Sequence, residues 1–276
     1  METRYSVDID RYERLTQDEL RKAFLIEDLF VPGQLKCIYW ENERAVVGGI
    51  VPTESALKLV GSKELATDQF AERREIGIIN TGAKGTVKVD GTAYELEHKE
   101  CLYIGRGAKD IQFTSASASD PAYFYLISYT AHMTYPTAKV KIADAATATI
   151  GKKEQASERT LRKYIHADGV KSCQLVMGYT ETHEGSVWNT MPCHTHERRT
   201  EIYCYFGLPE DHAVMHFMGR PDRTRHIVIR NRQVVLSPIW SVHFGAGTAP
   251  YPFIWSMGGE NQAFADMDQV PVKNLK

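Results

Sequence analysis

Within "PCHTHERRTEIYCYF", residues 192–206, His194, His196 and Glu201 combine ligand chemistry with a spacing that could bring them together. On a strand, residues i and i+2 face the same side, so His194 and His196 project together, along with Pro192. Glu197-Arg198-Arg199-Thr200 is a polar stretch suited to a turn. Glu201 would then open the next strand, "EIYCYF", sharing a face with Tyr203 and Tyr205. Adjacent antiparallel strands would bring the two imidazoles and the carboxylate to one point. A fourth candidate comes from "SPIWSVHFGAG", where Pro238 breaks one strand and His243 begins another. Imidazole and carboxylate suit zinc, iron, manganese or nickel, and three His with one Glu leave coordination positions open.

The plainer alternative is chance, since a chain with ten histidines can hold one H-x-H without purpose. Glu201 at this spacing, inside a β-rich segment, favours the metal reading. Cys193 and Cys204 are out of phase with the ligand candidates and read as small apolar fillers. Arg198 and Arg199 read as solvated turn charges, or one of them meets a substrate carboxylate through two parallel hydrogen bonds.

The elements that would position these residues are mostly strands. "GTVKVDGTAYELEH" alternates apolar and polar residues on both sides of Asp90-Gly91, a hairpin signature. "AYFYLISYTA", "SCQLVMGYT", "EIYCYFG", "RHIVIRNRQVVLS" and "YPFIWSM" are short, rich in β-branched and aromatic residues, and bounded by turn formers. Such a series implies a mainly β sandwich or closed barrel. One helix is marked: Thr16 and Glu19 form a capping box, Leu20, Phe24 and Leu25 recur at helical spacing, and Pro32-Gly33 ends the run. It belongs to a short N-terminal arm, residues 1–35. The polar stretch "AKVKIADAATATIGKKEQASERT" reads as a connection. On either side of it, "ECLYIGRGAKDIQF" and "QVVLSPIWSVHFGA" share a layout that sets Asp110 where His243 falls. Two β barrels in tandem follow, over 36–145 and 146–276, with the metal site only in the second.

Composition narrows the class. Charge is nearly balanced, 33 basic against 35 acidic residues, so nothing favours nucleic acid or an anionic membrane. The charged start lacks the core of a signal peptide, and no apolar run approaches a membrane span. Five scattered cysteines without a C-x-x-C pair suggest reduced thiols and a cytoplasmic protein. No G-x-G-x-x-G or P-loop pattern is present.

H-T-H, four residues, then E, with a later P-x-x-x-x-H, resembles the paired metal motifs of the cupin superfamily. "GSVWNTMPCHTHERRTEIYCYF", "MGRPDRTRHIVIRNRQVVLSPIWSVHFGAGT" and "FIWSMGGENQAFADMDQVPVKNLK" resemble the 5-keto-4-deoxyuronate isomerases (4-deoxy-L-threo-5-hexosulose-uronate ketol-isomerases). "LRKAFLIEDLFVPG" and "AVVGGIVPT" extend the resemblance to the N-terminal region, so it covers nearly the whole chain. The generic cupin glycine six residues before H-x-H is absent, and Trp240 and Gly247 stand where that pattern has Gly and Asn; both departures agree with the uronate isomerase type.

The resemblance implies a bicupin of two double-stranded β-helices, with one zinc ion per chain held by His194, His196, Glu201 and His243. It further implies a homohexamer acting in pectin and uronate breakdown. The reaction would convert 5-dehydro-4-deoxy-D-glucuronate to 3-deoxy-D-glycero-2,5-hexodiulosonate, moving the carbonyl from C1 to C2 through a metal-stabilised enediolate. Glu260, in "GGEN", and Tyr203 are candidates for the group that carries the proton between the carbons. A hydride shift is the alternative route. The rival readings are a 5-deoxyglucuronate isomerase of inositol catabolism, a cupin dioxygenase and a non-enzymatic sugar-binding cupin. The run "VWNTMPCHTH" fits the pectin enzyme better than the inositol enzyme.

Overall fold

A computed structural model describes all 276 residues. The chain is mainly β and divides into two compact units. The first comprises residues 1–5, 28–146 and 164–176; the second comprises 6–27, 147–163 and 177–276. No helix is long and apolar enough to cross a membrane.

Each unit is built on a seven-stranded and a four-stranded sheet. In the first unit the larger sheet runs, in spatial order, Glu2–Arg4, Leu35–Trp40, Ala45–Ile50, Phe124–Thr130, Arg74–Asn80, Cys101–Ile104 and Ala138–Val140. The smaller holds Leu57–Leu59, Ile111–Ser115, Gly85–Val89 and Thr92–Leu96. Apolar side chains from both sheets, including Ile76, Ile78, Leu102, Ile104, Val87 and Phe113, form one buried core. The Asp90-Gly91 hairpin is present, with φ of 47° and 89° at the two turn residues, as a two-residue type I′ loop requires.

The second unit repeats the layout. Its larger sheet runs Ala146–Ile150, Arg159–Ile165, Val176–Thr182, Pro252–Gly259, Arg199–Tyr205, Val234–Ser237 and Leu25–Ile26. Its smaller sheet holds Trp188–Asn189, Val242–Gly247, Val214–Arg220 and Arg223–Ile229. A two-stranded ribbon joins His194–Thr195 to Asp268–Gln269.

The Thr16 capping box forms, with the Thr16 hydroxyl accepting from the Glu19 amide and the Glu19 carboxylate accepting from the Thr16 amide. The helix is Gln17–Phe24 and stops well short of Pro32-Gly33. The reason is tertiary: Leu25 and Ile26 leave the helix to pair with Val235 and Val234 at the edge of the larger sheet. A four-residue helix, Ile9–Tyr12, precedes it and buries Tyr12, whose hydroxyl donates to the Met218 carbonyl at 2.9 Å. The polar connection also contains two short strands, Ala138–Val140 and the largely exposed Ala146–Ile150.

Candidate metal centre

The four ligand candidates arrive on three pieces of backbone. His194 lies on the short ribbon, and His196 sits one residue past it, entering the turn at Glu197-Arg198. The next strand begins at Arg199, two residues earlier than the sequence pattern suggests, and carries Glu201 and Tyr203. His243 follows Val242 at the start of the strand after Pro238. The register sets Glu201 between Ser237 and Met257, and Tyr203 between Val235 and Trp255.

All four side chains are buried, and one ligand atom from each lies within 4.8 Å of every other. The Glu201 Oε2 is 2.8 Å from His243 Nε2 and 3.0 Å from His196 Nε2, while the His194 and His243 Nε2 atoms are 3.1 Å apart. Donors about 2.1 Å from a shared cation stand roughly 3.0–3.4 Å from one another. The chemistry of the donors gives a second test. The His196 Nδ1–H donates to the Arg199 carbonyl at 2.9 Å, and the His243 Nδ1–H donates to the Ser241 carbonyl at 3.1 Å. In the neutral tautomers these bonds select, both Nε2 atoms present lone pairs to the Glu201 carboxylate. Lone pair then faces lone pair, and either a proton on an Nε2 or a cation shared among the donors relieves the repulsion. One divalent cation would satisfy all four donors at once, so this group fits a metal ion.

The electrostatics agree. Burial alone would raise the Glu201 carboxyl, yet the facing imidazoles of His243 and His196 hold it well below the ordinary carboxylate range. Burial, with His243 adding to it, pushes His194 down to about 3, which keeps that imidazole neutral and available as a ligand. His196 is shifted upward: burial opposes its charge, but the hydrogen bond and charge of Glu201 prevail. The first unit has no comparable group; Asp110, opposite His243 in the repeated layout, pairs with Lys58 at 2.7 Å.

A cavity of about 230 Å³ opens beside the centre. His194, Glu201 and Tyr203 line it, with apolar walls from Phe253, Trp255, Met257 and Phe264. Phe253, Trp255 and Met257 are alternate residues of one strand and so share a face. Gly178 brings a neighbouring strand close: a Cβ there would lie 2.5 Å from the Trp255 ring.

Of the other residues singled out from sequence, Tyr203 is in place. Its hydroxyl is 2.8 Å from the Thr190 hydroxyl, and burial pushes its pKa well above the ordinary value, with the Glu201 charge adding to the shift. Glu260 is exposed and does not line the cavity. Arg198 and Arg199 do not line it either. Arg198 grips Asp266 through two bonds, of 3.1 and 2.7 Å, and Asp268 at 2.8 Å. Arg199 is fully buried and donates to the carbonyls of Ala263 and Asp266, both at 2.9 Å. Together they tie down the segment that carries Phe264, Met267 and Gln269 into the cavity wall. Cys193 and Cys204 are buried outside the four-residue group, Cys193 against Val242, Phe244 and Val270, and all five cysteines are free. Sequence reasoning passed over Arg159, Thr190, Trp255 and Gln269, all of which line the cavity.

The model of the KduI/IolB family matches residues 25–272. The chain is 49% identical over 276 residues to the 4-deoxy-L-threo-5-hexosulose-uronate ketol-isomerase of Caldicellulosiruptor bescii, with both chains covered completely. It is 50% identical over 276 residues to the protein of that name from Bacillus pumilus and 53% identical over 277 residues to that from Opitutus terrae, again with full coverage of both chains. Among solved structures, an IolB-like protein from Salmonella typhimurium superposes with a TM-score of 0.72 at 13% identity, covering 90% of this chain and 96% of that one. An oxalate decarboxylase from Bacillus subtilis gives 0.58 at 10% identity, covering 81% and 70%. At such identities the likeness concerns the fold.

Proposed function

The chain belongs to the KduI/IolB family, and from that membership and the geometry of the buried centre we propose that it is a metal-dependent ketol-isomerase of uronate breakdown. The substrate is 5-dehydro-4-deoxy-D-glucuronate, and the product is 3-deoxy-D-glycero-2,5-hexodiulosonate. The observation that carries the reading is the convergence of three imidazole Nε2 atoms and one carboxylate oxygen at the wall of a cavity.

His194, His196, Glu201 and His243 would hold the ion, with zinc as the proposed metal. A divalent cation there, when bound, supplies a Lewis acid for the oxygens on the two reacting carbons. The protein's own groups do the rest. The carbonyls of Arg199 and Ser241 orient the imidazoles of His196 and His243. The apolar walls keep bulk water from the reacting carbons, which strengthens each polar contact inside. With His194 and Glu201 taken up as ligands, the hydroxyl-bearing side chains that line the cavity are Thr180, Thr190 and Tyr203. The Tyr203 hydroxyl, kept protonated by its raised pKa, would donate a hydrogen bond to an oxygen of the substrate. Cytoplasmic location and a homohexameric assembly belong to the same reading.

The test is metal content and turnover of 5-dehydro-4-deoxy-D-glucuronate in one preparation, before and after chelation. About one divalent ion per chain, loss of turnover on its removal and recovery on its return are expected. Full-rate turnover by the stripped protein would remove the reading. Turnover of 5-deoxyglucuronate in its place would move the chain to the other branch named by the family.

A further inference from the structure

Arg159 opens the strand Arg159–Ile165 and is only 8% exposed. It is the one cationic side chain lining the cavity beside the metal centre. One of its nitrogens donates to the Ser157 carbonyl at 2.7 Å. Gly151 packs against this arrangement: a Cβ there would lie 3.0 Å from the same nitrogen, so the guanidinium is held from behind. No carboxylate of the chain pairs with it. Burial lowers its pKa, and the groups that act against this are the hydroxyls of Tyr203 and Tyr251, which are neutral at physiological pH. A guanidinium taken out of water without an anion is costly, and it carries five donors of which the protein uses one. The other two arginines near the centre are committed to Asp266, Asp268 and backbone carbonyls.

We infer that Arg159 grips the carboxylate of the sugar acid, while the four-donor centre takes the opposite, carbonyl-bearing end. The inference rests on the proposed reaction for the identity of the acid. A planar carboxylate meets the guanidinium fork with two parallel hydrogen bonds, which fixes direction as well as charge. Between apolar walls that pair is little screened. Arg159 therefore makes the cavity select a sugar acid over a neutral sugar and sets which end of the molecule faces the metal.

The test uses the metal-loaded full chain and the variants Arg159→Gln and Arg159→Lys. Metal content of both is expected to match wild type. For 5-dehydro-4-deoxy-D-glucuronate, Arg159→Gln is expected to lower kcat/KM roughly ten- to hundredfold, mainly through KM, with Arg159→Lys between it and wild type. Calorimetric titration with D-glucuronate and D-glucose supplies a readout independent of turnover. Wild type is expected to prefer D-glucuronate, and Arg159→Gln to lose that preference while its D-glucose binding is unchanged. Arg159→Gln with a KM within threefold of wild type would overturn the inference while leaving the isomerase standing. So would a wild type indifferent to the carboxylate, or equal loss of both sugars in the two variants. An acid preference that needs Arg159 in a protein without isomerase turnover would uphold this role and remove the reaction instead.

Discussion

The Glu201 carboxylate stands where elementary electrostatics would not leave it unassisted: fully inside the protein, against two imidazoles whose other nitrogens are already occupied by backbone carbonyls. That arrangement is the residue-scale case for a cation, and it separates the residues that reach the chemistry from those that do not. Tyr203 shares a face with Glu201 and lines the same cavity; Glu260 lies in a solvent-exposed position away from it. Tyr203→Phe removes a single hydroxyl from a buried ring and is expected to reduce kcat by about 100-fold with metal content unchanged. Glu260→Gln is expected to keep turnover within about twofold of wild type. Steady-state kinetics beside metal analysis check both, and the reverse pattern would return the proton-carrying role to Glu260. His194, His196 and Glu201 were legible in the sequence because period two and one intervening turn suffice to bring them together, and His243 because Pro238 marks the break before its strand. Arg159 was not. It sits at the end of a run rich in small and charged residues that reads as a connection, and nothing local marks its last residues as the start of an inward-facing strand.

At the scale of elements, the fold uses Arg198 and Arg199 as fasteners for the segment 261–269. Both read from sequence as solvated turn charges; Arg198 is in the turn, but Arg199 is fully buried at the start of the strand, and what they hold could not be read because Ala263, Asp266 and Asp268 come more than 60 residues later. The two fastenings differ in weight. Arg198 is partly exposed, and pairs of that kind contribute little. Arg199 is fully buried and satisfies two carbonyls, so its replacement leaves polar groups without partners inside the protein. Arg199→Met is expected to destabilise by about 2–4 kcal/mol, and Arg198→Ala by clearly less. Denaturant unfolding measures both; equal effects would mean that the buried bonds are replaced by water. The early end of the N-terminal helix has the same physical origin. Leu25 keeps the helical apolar spacing, yet a free edge at Val234-Val235 wins it for the sheet.

At the scale of the whole chain, one sheet layout serves two interiors. Arg74–Asn80 and Arg199–Tyr205 occupy matching places in their sheets, and by register Ile76 and Ile78 stand where Glu201 and Tyr203 stand in the second unit. The first interior is apolar; the second buries His194, His196, His216 and His243 with Glu201. The two units should therefore answer acid differently. Burial pushes His216 down to about 3, with His243 adding to the shift, and burial likewise pushes His194 to about 3. An unfolded histidine titrates near 6.5, so between about pH 6.5 and 3 the unfolded chain binds protons that these two folded imidazoles refuse. Their contribution is full above about pH 6.5 and is lost as pH falls toward 3. His196, shifted upward, acts in the opposite sense: its contribution is full below its unfolded pKa and fades as pH rises through its folded one. Two depressed imidazoles against one raised one leave a net loss on acidification in the metal-stripped protein. Three of the four tryptophans, Trp188, Trp240 and Trp255, lie in the second unit, so tryptophan fluorescence chiefly reports its unfolding. The denaturant midpoint of the stripped protein is expected to be lower at pH 5 than at pH 7, and His216→Phe is expected to narrow that gap. Equal midpoints at the two pH values would mean that the buried histidines titrate in the folded chain much as they do in water.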